Sequence, residues 1–126
     1  NVLPLVMDLS NPSPDLGWDN SERSSLANRG PADLIIALAL IHHIAIANNV
    51  PFELIAKNFA RYGKWLIIEF VPKQDSQVQR LLSSRQDIFS EYDSAGFERA
   101  FSNYFVIEQR QQIAESDRVL YLMRTH

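Results

Sequence analysis
Two adjacent histidines, His42 and His43, are the side chains in this sequence best suited to chemistry. An imidazole titrates near neutral pH, so it can take a proton from a hydroxyl or amine nucleophile. Neighbouring side chains point in different directions, so one histidine is expected to face a crevice. The other is left to pack in the core or cap the following turn. An aspartate, Asp8, closes an earlier apolar run ahead of a Pro/Ser/Asn loop, Ser10 to Pro14. A carboxylate there can accept from an exocyclic amine, or it can close the turn through backbone bonds. No metal site is expected, because adjacent histidines lack the i, i+4 spacing of a helical chelate and no carboxylate cluster accompanies them. Cysteine is absent, which removes thiol nucleophiles, disulfides and thiolate ligands.

The histidines follow eight apolar residues, Leu34 to Ile41, themselves preceded by Pro31-Ala32-Asp33. That is strand length, and a strand without polar alternation reads as buried on both faces, the habit of central parallel strands. Open parallel sheets bind ligands outside the carboxyl ends of their strands, which is where the histidines stand. Val2 to Leu9 reads as an earlier strand. Asn20 or Ser21 can cap a short helix from Glu22 to Asn28, closed by Gly30. Ile44, Ala45 and Ala47 predict a brief helical turn. Pro51 suits the first turn of a helix whose Phe52, Ile55, Ala56 and Phe59 share one face, with Gly63 as its C-terminal stop. Trp65 to Val71 reads as a strand, and Ser76 begins a helix carrying Val78, Leu81 and Leu82, with an irregular continuation to Phe89. Ala95 to Ser102 is a further short helix. Phe105 to Ile113 and Arg118 to Arg124, joined by Ala114 to Asp117, read as an antiparallel hairpin. Helices alternating with apolar strands predict a single α/β domain, residues 1–126, with parallel pairing and a closing hairpin.

The 126 residues can bury about two-thirds of their unfolded surface. A net charge of −3, from 12 basic and 15 acidic residues, gives no electrostatic footprint for nucleic acid. Leu34 to Ile41 is too short to span a bilayer. Residues 1–12 lack the basic start and long apolar centre of a signal peptide, so no membrane partner and a cytoplasmic setting are expected. Trp18, in the polar loop Asp15 to Asn20, is expected to anchor that loop to the core, the alternative being stacking on a base or closing a pocket. Glu69 and Lys73 flank a strand exit and read as solvated or as lining the substrate side. Arg61, Arg80, Arg85 and Arg99 read as the polar faces of helices.

In order and spacing, several segments resemble the carboxyl-terminal part of a class I S-adenosylmethionine-dependent methyltransferase. Val6-Met7-Asp8-Leu9 resembles the third strand of that fold, and Ala32 to His43 the fourth strand with its leucine–histidine–histidine continuation. Gly63-Lys64-Trp65-Leu66-Ile67-Ile68-Glu69 resembles the helix exit and fifth strand, and the hairpin Phe105 to Met123 resembles strands six and seven. More loosely, Gly17-Trp18 and Glu22-Arg23 resemble nodulation-related methyltransferase-like proteins.

The resemblance implies a partial Rossmann-like methyltransferase sheet in the strand order 3-2-1-4-5-7-6, lacking its first two strands. It also implies S-adenosylmethionine as cofactor, a small-molecule or other methyl acceptor, and Asp8, Leu9 and His42 as cofactor-binding residues. His43 is then the catalytic base. The four glycines, at 17, 30, 63 and 96, are too scattered for a cofactor-cradling loop, so the chain is read as the C-terminal portion of a methyltransferase domain, weak or inactive alone. Without the first strand, Leu34–Ile41 is expected to pair with Val2–Leu9 or to form a homodimer through its exposed edge. Two other readings stay open: a non-catalytic interaction module that keeps the sheet, and another doubly wound domain such as a nucleotide-binding or hydrolase fragment.

Overall fold
The computed structural model describes residues 28–126 and, before them, Val2, Met7, Leu9, Pro14 to Asn20 and Ser25. The fold is mixed α/β, with β1 (Ala32–Ala37), α1 (Phe52–Tyr62), β2 (Gly63–Phe70), α2 (Ser76–Leu82), α3 (Ser94–Ser102), β3 (Phe105–Gln112) and β4 (Val119–Thr125). The sheet order is β1-β2-β4-β3. β1 and β2 are parallel, in the register Leu34 to Trp65 and Ile36 to Ile67. β4 runs antiparallel to β2 and to β3, with a bulge between Ile107 and Gln109. This is an open, partly Rossmann-like sheet. Its order matches the 4-5-7-6 end of the expected sheet, hairpin included.

Local sequence explains most elements. Phe52, Ile55, Ala56 and Phe59 recur at helical spacing, and all four are buried under the sheet. Asp75 caps α2 by accepting from the Gln77 amide, and Asp93 caps α3 by accepting from Gly96. α1 and α3 pack together. Between them and the sheet lies an aromatic core in which Phe97 meets Phe101 at 4.4 Å, Phe70 at 5.0 Å, Tyr121 at 5.1 Å and Phe52 at 5.5 Å between ring centroids.

Several expectations are corrected. The strand expected over Leu34–Ile41 runs instead from Ala32 to Ala37, because Ala39 takes a left-handed φ of 52° and turns the chain. Nor is it buried on both faces. Leu34 is 44% and Ile36 60% exposed, since β1 is an edge paired only with β2 among the described residues. Helix α2 stops at Leu82 rather than continuing to Phe89. Gly63 ends α1, but with an extended backbone at φ −158° rather than a left-handed cap. A Cβ there would stand 2.6 Å from Ile35 Cγ1, so the residue is small because β1 crosses close to it. Val2, Met7 and Leu9 are not in a strand, and the remainder of the expected 2–9 strand, Asp8 included, lies outside the described residues. Most of the expected 22–28 helix does too.

Candidate functional site at the carboxyl end of the parallel strands
β1 and β2 deliver their carboxyl ends side by side. Beyond β1 the chain bends at Ala39 and enters a π-helical turn, His43–Ala47, in which the Asn48 amide donates to the His43 carbonyl at 3.1 Å. Near the end of β2, Glu69 is only 8% exposed. Its Oε1 accepts from the Ala39 amide at 3.0 Å and from Arg118 Nη1 at 3.0 Å. Arg118 comes from the connector before β4, and its other edge forks onto Asp75, Nε to Oδ2 at 2.8 Å and Nη2 to Oδ1 at 3.2 Å. The guanidinium thus ties together the end of β2, the cap of α2 and, through Glu69, the exit of β1. Its bonds hold the Asp75 carboxyl below its ordinary range.

The two histidines separate as expected for neighbours. Their rings lie 4.2 Å apart, tilted by 38°. His43 is exposed, whereas His42 is 1% exposed and its Nδ1 has no hydrogen-bond partner among the described residues. Burial pushes the His42 imidazole down to about 4, helped by repulsion from His43 and Arg118, which outweighs the attraction of Asp75 and Glu69. His42 is therefore a neutral, buried group at physiological pH, and His43 is the one that solvent can reach.

The depressed His42 value makes folding pH-dependent. Between the ordinary value of 6.5 and the folded value of about 4, the unfolded chain binds a proton that the native state refuses, so stability falls as pH falls. Urea titrations at pH 7 and pH 4.5 are expected to differ by about 2–3 kcal/mol from this group alone. His42→Leu will flatten that slope. An equally steep loss in the variant would assign the acid sensitivity elsewhere.

The structure brings together some of the expected site residues and not others. Leu9 lines a cavity of about 50 Å³ with Ile44, Val50, Ile55 and Phe59, a set that includes neither histidine. Trp18 is 84% exposed and does not anchor its loop in the core. Glu69 is not solvated but buried and doubly bonded, and Lys73 pairs with Asp87 at 3.1 Å. Sequence reasoning missed Asp75, Arg118 and the role of Arg85, which donates to the carbonyls of Ile46 and Ala47 and so braces the π-helical turn. A helix-cap pattern, Asp75 before Ser76-Gln77, was the available signal for Asp75. Arg118 carried none, since its partners are 43 and 49 residues away in sequence. At the same end of the sheet a pocket of about 160 Å³ is lined by Val50, Phe52, Phe89 and Tyr92, with Asn49 and Glu91 also in its wall. Among the described residues no group of three or more His, Cys, Asp or Glu is placed to hold a metal, and no helix is long and apolar enough to cross a membrane.

Sheet and site together define a partly Rossmann-like α/β domain with a buried acid–guanidinium–imidazole cluster at the carboxyl end of its parallel strands. No family model matches the chain, and no solved structure matches it. The chain is 43% identical over 121 residues to the nodulation protein NoeA of Rhizobium meliloti (strain 1021), an alignment that covers 96% of this chain and 25% of that protein. It thus spans about a quarter of the length of the curated relative it matches.

Proposed function
We propose that the chain is the C-terminal portion of an S-adenosylmethionine-dependent methyltransferase domain, and that the protein carrying it transfers a methyl group to a small-molecule or other acceptor. The observation that carries this reading is the strand order β1-β2-β4-β3, in which an antiparallel hairpin is added to a parallel pair so that its second strand lies inside the first. Few doubly wound sheets end in this way. The residue at the exit of β1 fits such a cofactor: the neutral His42 Nδ1, without a hydrogen-bond partner among the described residues, can serve an amine or hydroxyl of a bound ligand.

When bound, S-adenosylmethionine supplies an electrophilic methyl on a sulfonium. The protein's own share of the work is alignment and proton transfer. His42, buried and uncharged, lines the ligand side without adding a positive charge next to a sulfonium. His43, exposed at the same turn, takes the proton of a hydroxyl or amine acceptor. Asp8 and Leu9 are proposed to meet the adenine. The edge of β1 that is unpaired among the described residues is where further strands of the same domain, or a second copy, would add.

Calorimetric titration is the test. The longer protein is expected to bind S-adenosylmethionine with a Kd of about 1–100 µM, and this chain alone far more weakly. With labelled cofactor and an identified acceptor, His43→Ala should lower kcat about a hundredfold with cofactor affinity unchanged. A longer protein that folds and does not bind the cofactor would overturn the reading in favour of a non-catalytic module on the same sheet.

A further inference from the structure
Ala39 is one of four non-glycine residues with positive φ among the described residues, and it lies three residues before His42. An alanine in that region is strained and persists only where its surroundings hold it. What holds it is visible: its amide donates to Glu69 Oε1 at 3.0 Å, a carboxylate that is nearly buried and fixed from the other side by Arg118. Arg118 is in turn fixed by its fork onto Asp75, itself tied to the first turn of α2 by the Gln77 amide at 2.9 Å. Immediately after Ala39, the Leu40 carbonyl accepts from the His43 and Ile44 amides, at 3.0 and 3.3 Å, and opens the turn that carries both imidazoles.

We propose that Glu69 is a positioning residue: by gripping the Ala39 amide it holds the strained exit of β1 and thereby sets where the His42 and His43 rings lie. Arg118 and Asp75 act through it as a brace. A carboxylate is the right group for this, because a charge-assisted bond to a backbone amide is about twice as strong as a neutral one. The grip crosses from one strand end to the next, so the turn is registered against the sheet rather than against its own loop. The geometric part of this proposal stands on its own. Its catalytic consequence rests on the methyl-transfer reading.

The test reads geometry and turnover separately, using the full chain for the first. In Glu69→Leu, hydrogen exchange at the Ala39 amide should quicken at least tenfold, and the resonances of the neighbouring His42 and His43 rings should shift. Amides in the β2–β4 ladder should keep their protection. Adding Ala39→Gly to that variant should restore the histidine resonances, because glycine adopts φ near 52° without strain and needs no grip. That rescue is what a merely space-filling Glu69 would not produce. Where Glu69→Leu does not fold, Glu69→Gln decides: its oxygen still accepts, more weakly, so Ala39 exchange should quicken severalfold. Unchanged Ala39 exchange and unchanged histidine resonances in either folded variant would overturn the proposal. In the longer protein, Glu69→Gln should lower kcat through His43 and raise the cofactor Kd through His42. Lost cofactor binding by the unaltered protein would instead sink the methyl-transfer reading and leave the exchange result standing.

Discussion
Arg118→Ala is expected to destabilise the domain by about 3 kcal/mol, toward the lower end of the range for breaking a buried ion pair by removing one partner. The guanidinium is about one-fifth exposed, with a side-chain value of 21%, and its two carboxylate partners are still less so. Among the described residues its removal leaves Glu69 bonded only to the Ala39 amide and Asp75 only to the Gln77 amide, each with charge turned inward. Three elements then lose their common tie. Arg118→Lys should recover part of the loss, because an ammonium restores the charge but not the fork onto Asp75. The arginine's bonds are also what hold the Asp75 carboxyl low, so the stability this carboxyl contributes is present above its ordinary value of 3.8 and lost as pH falls below it. In Arg118→Ala that acid limb should move to higher pH. Urea unfolding at constant m-value measures both effects. A cost below about 1 kcal/mol would place the cluster with ordinary surface pairs.

Gly96→Ala is expected to destabilise by about 3 kcal/mol, against the usual gain of up to about 1 kcal/mol when alanine replaces a helical glycine. A Cβ at this position would overlap the Glu91 carbonyl oxygen far inside van der Waals contact, and would stand 3.2 Å from Asp93 Oδ1. The Glu91 backbone cannot yield easily. The next residue, Tyr92, is pinned by its hydroxyl, which donates to the Val71 carbonyl at 2.5 Å, and by its ring, 5.1 Å from Phe52 and 5.5 Å from Phe70. The clash would either pull α3 from its Asp93 cap, whose carboxylate accepts from the Gly96 amide at 2.7 Å, or lift the Tyr92 segment off the core. Thermal unfolding read by near-UV circular dichroism distinguishes the sign. A higher Tm in the variant would show that the segment before α3 is free to move.

How much of this was legible in the residues follows from the range of each interaction. The face of α1 is written in Phe52, Ile55, Ala56 and Phe59, because helical burial repeats within a few positions of the chain. The β3–β4 hairpin is equally local: its strands flank a short connector, residues 113–118, and Glu115, at φ 58°, turns within it. The capping aspartate Asp75 is local too. The parallel pairing of β1 with β2 follows from a helix between two apolar runs, so that pairing and the location of the histidines beyond the carboxyl end of β1 were both readable.

Lateral neighbours were not readable. The apolar run Leu34–Ile41 says that the residues avoid water, not whether another strand lies beside them or a helix above them, and here Leu34 and Ile36 remain exposed at a sheet edge. The burial of Glu69 was hidden for the same reason. A glutamate at a strand exit looks solvated until a guanidinium 49 residues away closes on it. Gly63 looked like a left-handed helix cap and proved to be a close crossing with Ile35, which only the register of β1 against β2 could show. The sequence by itself determined most of the described elements and that the histidines follow the carboxyl end of β1, because those depend on contacts a few residues apart. Only the tertiary structure decided which histidine is buried and neutral and what holds the turn that carries it, because those depend on charges and amides that the chain brings together from afar.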